Sequence, residues 1–246
     1  MFFATLIRSA FGFGEGLVAV PLLAFYIPLN VAAPLAVLLS ITIALIVVVQ
    51  DWKKVHVGSA AWLLLATVLG IPVGLLLLTS SHQRLVKGTL GVIILAFAVY
   101  SLISQTAVGK KWVGGKQPEL ERDSRAWLLV CGFCAGVLGG AYGMNGPPLV
   151  VYGSMRRWTA QHFRATLQGY FLPASIIGMI GYWIAGLWVP TVTHYFVISL
   201  PVTLLAIFLG RLLNHRMHGD NFLKYIYLCL AVIGAILLGQ AIHRHA

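Results

Sequence analysis

Long apolar runs separated by short polar segments make up most of this chain. Six runs have a length suited to a membrane-spanning helix, and they are Val31–Val49, Ala60–Leu78, Leu85–Ile103, Leu167–Ala185, Val192–Leu213 and Phe222–Ile242. A helix needs about 20 apolar residues to cross a hydrocarbon core about 30 Å thick. The pattern therefore predicts an all-α polytopic membrane protein with six ordinary transmembrane helices.

Two further apolar segments are interrupted by glycine. The first break is GFGEG at Gly12–Gly16, with about eleven apolar residues on each side, and the second is GMNGPP at Gly143–Pro148. Eleven residues form a helix of about 16 Å, which reaches the middle of a bilayer and no further. Each element is thus either one interrupted span or a hairpin that enters the membrane and returns.

The two breaks belong to an internal repeat. FGFGEGLVAVPLL, from Phe11, returns as AYGMNGPPLVV from Ala141, and IPVG at Ile71–Gly74 has a counterpart in IFLG at Ile207–Gly210. Each half contains one broken element followed by three ordinary spans. The sequence therefore predicts one membrane domain with repeat 1 over residues 1–105, a polar linker over 106–124 and repeat 2 over 125–246.

The distribution of lysine and arginine favours hairpins over crossings. If both broken elements cross the membrane, eight basic loop residues lie on each side of it. If both elements are hairpins that return to the side they entered from, and Arg8 lies inside the first hairpin, thirteen basic loop residues lie on one side and three on the other. A strong excess is expected on the cytoplasmic side. We therefore predict two inverted repeats, each a glycine-broken re-entrant hairpin plus three transmembrane helices, which is typical of secondary transporters.

Composition excludes several other classes of protein. Hydrophobic residues make up 59% of the chain and charged residues 9%, whereas soluble domains carry about a quarter charged residues. The net charge of +11 lies in the loops between spans, so nucleic acid is not a predicted partner. Cys131 and Cys134 lie on a glycine-rich apolar helix, where small residues favour close helix packing over redox or metal chemistry.

Neither H-E-x-x-H nor G-x-S-x-G occurs in the chain. We therefore predict no enzyme activity, no catalytic residue, no metal and no cofactor. The predicted partners are the lipid bilayer and a small anion, and the sequence leaves the oligomeric state open.

The breaks are suited to binding a small anion. Non-helical backbone at mid-depth has to line a protein cavity, and helices that begin at Leu17 and Pro147 would direct free N–H groups and positive dipole ends into it. Glycine lets the backbone come close to a ligand. The candidate substrate-binding residues are Gly12, Gly14, Gly16, Ser40, Gly143, Asn145, Gly146, Pro147 and Gln168.

Glu15 places a carboxyl group in the first break. A carboxyl removed from water holds a proton more readily, so Glu15 is a candidate proton-coupling residue. The alternative is a structural ion pair with Arg8, seven residues earlier, or with Arg164.

The segments GFGEGLVAVPLL, GMNGPPLVVY and RATLQGYF (Arg164–Phe171) resemble the TauE/SafE family of sulfite exporters and related anion permeases. The resemblance covers nearly the whole chain and departs from the family at Glu15, where many relatives have glycine. It implies two similar halves and transport of sulfite, sulfonates or related oxyanions across the cytoplasmic (inner) membrane. A passive anion channel and, as a further alternative, an intramembrane enzyme stay open.

The charge distribution predicts that both termini lie outside the cytoplasm, with Gly109–Arg125, Arg156–Arg164 and Arg211–Lys224 inside. Single cysteines introduced at Gln117 and Ala246, with the native cysteines replaced, should react with a membrane-impermeant thiol reagent from opposite sides. Labelling of both positions from the same side would contradict this topology.

Overall fold

The computed structural model describes residues 1–11, 13–51, 57–80, 83–104, 125–155 and 160–216, and a few C-terminal residues at 228, 231–236 and 238–239. Every labelled regular element among them is an α-helix. The helices are α1 (Phe2–Phe11), α2 (Glu15–Leu23), α3 (Leu29–Asp51), α4 (Val57–Thr79), α5 (Gln83–Ser104), α6 (Arg125–Tyr142), α7 (Gly146–Met155), α8 (Ala160–Ile184) and α9 (Pro190–Arg216).

Four of these helices are long and apolar enough to cross a membrane. The qualifying stretches are Leu29–Ile46, Ala61–Thr79, Leu85–Ile103 and Pro190–Gly210, in α3, α4, α5 and α9. They coincide with four predicted spans, and α8 covers a fifth, whereas most of the sixth lies outside the described residues. The all-helical, polytopic prediction is therefore confirmed, while the hairpins and the inverted repeats stay predictions.

The surface of α4 shows why these helices suit a bilayer. Its outer face carries large exposed apolar side chains, namely Trp62, Leu65, Leu69, Val73 and Leu76. A continuous stripe of this kind is unfavourable in water and favourable against lipid chains. The inner face carries the small residues Ala66, Gly70 and Gly74, which are buried.

Small residues bring α4 and α6 into backbone contact. A Cβ on Gly136 of α6 would overlap the carbonyl oxygen of Thr67, and one on Gly70 of α4 would overlap the carbonyl oxygen of Phe133. Glycines at four-residue spacing form this kind of close crossing between membrane helices. The packing interpretation of the segment around Cys131 is thus confirmed, and both Cys131 and Cys134 are free thiols.

The chain divides into two compact units. The first contains Met1–Thr79 and Arg125–Arg216, and the second contains Ser80–Ser124 and Met217–Ala246. In the second unit, Gly91 of α5 lies against the backbone of Gly234. The repeat boundaries at 1–105 and 125–246 stay a prediction.

Helix α3 is the inner helix of the first unit. Within its apolar stretch 61% of the residues are buried, against 22% for that of α9. Helices α2, α8 and α9 all pack on α3, and α8 also packs on α4. The Ser40 side chain on α3 is buried and therefore lies inside protein and away from lipid.

The close crossing of α4 and α6 predicts a contrast between two glycine-to-alanine variants. Gly136→Ala should lower the free energy of unfolding by about 1–3 kcal/mol because the new methyl group has no room. Gly178→Ala should be neutral or stabilise by up to about 1 kcal/mol, since its Cβ would meet no atom within 4 Å. Thermal unfolding in detergent compares the two variants. Equal unfolding temperatures would contradict the close contact between α4 and α6.

Candidate functional site

The chain leaves the helical conformation at both glycine-rich segments. Helix α1 ends at Phe11 and α2 begins at Glu15, and Gly14 before it has a φ of 100°. The carbonyl oxygen of Gly14 accepts the N–H of Val18 at 3.1 Å, so the first helical turn already includes Glu15. The helix start predicted at Leu17 is therefore two residues late, and Glu15 is the first residue of α2 instead of part of the break.

The second break is an αL helix ending. The N–H of Gly143 donates to the carbonyl oxygen of Gly139 at 2.9 Å, and Gly143 has a φ of 65°. A left-handed residue with this hydrogen bond commonly ends a helix, and glycine takes that conformation without a Cβ penalty. Helix α7 then begins at Gly146, one residue before the predicted start at Pro147.

The two breaks touch each other. A Cβ built on Gly16 would lie 2.5 Å from the carbonyl oxygen of Gly143, and a Cβ on Gly143 would lie 3.0 Å from the carbonyl oxygen of Ala33 on α3. Side chains at these two positions would therefore hold the segments apart. The glycines allow both breaks to meet against α3.

A narrow buried pocket lies where the breaks meet. Its cavity volume is about 20 Å³, close to the space that one water molecule needs. The residues that line it are Arg8, Phe13, Gly14, Glu15, Gly16, Leu17, Ser40, Gly143, Met144, Asn145, Gly146, Pro147 and Phe171.

The pocket brings together most of the site residues predicted from the sequence. It contains the predicted glycines at 14, 16, 143 and 146, together with Ser40, Asn145, Pro147 and Glu15. Gly12 lies outside the described residues, as does the side chain of Gln168 on α8. Eight of the ten predicted site residues therefore lie around one space.

An ion pair between Arg8 and Glu15 crosses the pocket. The Arg8 Nη1 lies 3.0 Å from the Glu15 Oε2, and the two side chains are 4% and 1% exposed. This is the structural pairing with Arg8 that the sequence left open as an alternative, and the side chain of Arg164 lies outside the described residues. Glu15 also stands in the first turn of α2, where the helix dipole favours a negative charge.

Two further side chains contact Arg8, and a third holds one of them in place. The Nη1 of Arg8 donates to the Oγ of Ser40, and the Nη2 of Arg8 donates to the Ser40 carbonyl oxygen at 3.4 Å. Ser175 on α8 donates to the Ser40 Oγ at 3.2 Å. The guanidinium carbon lies 4.8 Å from the centre of the Phe171 ring, a distance suited to a cation–π interaction.

Both partners of the ion pair keep unused hydrogen-bonding capacity. Arg8 makes three hydrogen bonds in the described part of the chain, out of the five that a guanidinium can donate. Within the same residues the Nε of Arg8 and the Oε1 of Glu15 are buried and make none. The pocket therefore contains an idle donor and an idle acceptor.

A chain of hydrogen bonds positions Asn145 at the other side of the pocket. The hydroxyl of Thr67 donates to the Gly132 carbonyl oxygen at 2.9 Å, so the Tyr170 hydroxyl has to be the donor in its 2.7 Å contact with Thr67. The Asn145 Nδ2 then donates to Tyr170 at 3.4 Å. These bonds tie the second break to α4, α6 and α8.

Sequence reasoning missed the place of Arg8 and Phe171 in the pocket. It treated Arg8 only as a partner for Glu15 and included neither Arg8 nor Phe171 among the candidate substrate-binding residues. An arginine within an apolar segment, about one helical turn before the break, is itself a signal of function. Phe171 carried no such signal, because its position over Arg8 depends on the packing of α8.

Comparison with protein families identifies the family to which the chain belongs. The family model described as "Sulfite exporter TauE/SafE" matches residues 1–238 of the 246-residue chain. The chain belongs to the TauE/SafE family. Comparison with curated proteins and with solved structures gives no match. Membership in TauE/SafE, a family of membrane sulfite exporters, indicates transmembrane anion transport for this chain.

The contact between the breaks of this TauE/SafE protein predicts different effects at two pocket glycines. Gly16→Ala should lower the free energy of unfolding by about 1–3 kcal/mol, because its methyl group would press on Gly143. Gly146→Ala should be tolerated, since the nearest atom to its Cβ is a ring carbon of Phe13 at 3.9 Å. Thermal unfolding and sulfite binding should be measured on both variants. Equal stability of the Gly16→Ala and Gly146→Ala proteins would contradict the contact between the breaks.

Proposed function

We propose that this TauE/SafE protein is a secondary transporter, and not an enzyme, for sulfite, sulfonates or related small oxyanions in the cytoplasmic (inner) membrane. We further propose that the substrate binds in the pocket between the two breaks. The observation that carries this assignment is the buried guanidinium of Arg8 beside the N-termini of α2 and α7. A cation and two helix N-termini favour an anion over a neutral or positive ligand.

The donors around the pocket suit an oxyanion. The backbone N–H groups of Glu15, Gly16 and Leu17 precede the first N–H that bonds within α2, which is that of Val18. Such N–H groups have no partner inside their own helix. Helix α7 offers fewer donors because Pro147 and Pro148 lack an N–H, so α2 and Arg8 supply most of the binding capacity.

The narrow cavity favours a carrier over a passive channel. About 20 Å³ accommodates a single water-sized group, and a sulfite ion needs the pocket to widen. A protein that opens and closes around its ligand exchanges substrate across a closed state, whereas a channel needs a continuous water-filled path. We therefore assign the described arrangement to a closed form of the carrier.

Glu15 is the residue through which we propose that a proton is coupled to transport. Among the described pocket residues it is the single carboxylate, and it is 1% exposed. In a low dielectric a carboxylate depends on a nearby positive charge, so loss of the Arg8 contact would favour the protonated form. A proton gradient could thereby drive the anion.

The repeat organisation completes the proposal. We propose that residues 1–105 and 125–246 are inverted repeats, that each begins with a re-entrant hairpin, and that 106–124 link them. The meeting of the two breaks in one pocket supports this arrangement, because two related hairpins that enter from opposite faces would meet near the midplane.

Vesicles that contain the purified protein should show sulfite counterflow, in which internal unlabelled sulfite accelerates uptake of labelled sulfite. The Gly14→Val variant should insert and lose this exchange, because valine is strained at a φ of 100°. In the same vesicles a pH gradient should drive net sulfite flux through the wild type and not through Glu15→Gln.

Three results bear against the proposal. Flux without counterflow would identify a channel. Normal exchange in Gly14→Val would show that the break is a packing feature, and gradient-driven flux that persists in Glu15→Gln would remove the proton-coupling role.

A further inference from the structure

The ion pair in the pocket is made with a single hydrogen bond. The Arg8 Nη1 lies 3.0 Å from the Glu15 Oε2, and the Oε1 makes no hydrogen bond in the described residues. Arginine and a carboxylate often pair through two parallel bonds, which are stronger and more specific. An oxyanion that used the idle Nε together with an Nη group of Arg8 could form such a pair where Glu15 does not.

We propose that Glu15 and the transported anion occupy Arg8 in turn, so that the pocket takes up one proton with each monovalent anion. This inference rests on the proposed function and specifies how its site works. Before binding, the Glu15 carboxylate neutralises Arg8. When the anion takes over Arg8, one proton from solution adds to a Glu15 oxygen, and the loaded pocket has the same net charge as the empty one.

The physical reason is the cost of an unpaired charge away from water. If the anion displaced an ionised Glu15, two negative charges would share one guanidinium in a pocket that is almost fully buried. Leaving a buried charge without its partner is strongly unfavourable, whereas a protonated carboxyl is neutral and can donate its own hydrogen bond. Protonation of Glu15 is therefore the lower-energy way to free Arg8.

The surroundings of Glu15 offer no other group for this proton among the described side chains. Helix α1 contributes Arg8, and the amino group of Met1 makes no ion pair with Glu15 in the described part of the chain. The polar groups that α3 and the second break place in the pocket are Ser40 and Asn145, which carry no charge. Glu15 is thus the group whose titration follows the occupancy of Arg8.

Binding of methanesulfonate, a probe with one fixed negative charge, tests the proposal. Calorimetry on the full chain in detergent should show an affinity that falls about tenfold per pH unit once Glu15 ionises, because one proton is linked to binding. Glu15→Gln should bind with no such dependence, and more tightly than the wild type at alkaline pH. Glu119→Gln makes the same chemical change in the predicted linker and should keep the wild-type dependence.

A second measurement uses the wild type alone, so the test does not depend on folding of Glu15→Gln. In weakly buffered alkaline solution, a pH indicator should report uptake approaching one proton per methanesulfonate bound. Binding without proton uptake, or a pH dependence shared by the wild type and Glu15→Gln, would overturn the exchange at Arg8 and leave the anion site standing. Failure of both methanesulfonate and sulfite to bind at any pH would overturn the proposed function itself.

Discussion

The positive charge of Arg8, removed from water, is the constraint on which the arrangement of the pocket depends. A guanidinium that is 4% exposed needs partners on every side. They come from three other helices: Glu15 from α2, Ser40 from α3 and Phe171 from α8. Because each partner sits on a different element, the charge ties the first break to the interior of the unit.

Close backbone packing makes room for this polar centre within an apolar bundle. Helices α4 and α6 approach each other through glycine, and the hydroxyl groups of Thr67 and Tyr170 bridge them to the second break. At the breaks, Gly16 and Gly143 have no side chains that would hold the two segments apart. Backbone groups of both breaks can therefore face the pocket. The outer face of α4 carries large apolar side chains instead.

Much of this architecture is readable from the sequence, for identifiable physical reasons. The apolar runs predict the long helices because the length of a spanning helix must match the bilayer. The glycines predict the breaks because glycine adopts the positive φ angles found at Gly14 and Gly143 more readily than any other residue. The grouping of Ser40 with Phe171 could not be derived, since it depends on how α3 and α8 pack. The start of α2 was missed by two residues because the cap at Gly14 uses only backbone groups.

The positions of Glu15 and Gly16 would connect the two changes that the proposed substrate binding requires. For that binding the pocket would have to widen beyond about 20 Å³, and Arg8 would have to exchange one negative partner for another. Gly16 is the residue that touches Gly143, and Glu15, beside it in the chain, is the residue that holds Arg8. A displacement of the N-terminus of α2 would therefore separate the two breaks and release the guanidinium in one movement, so that neither change needs a second mobile element.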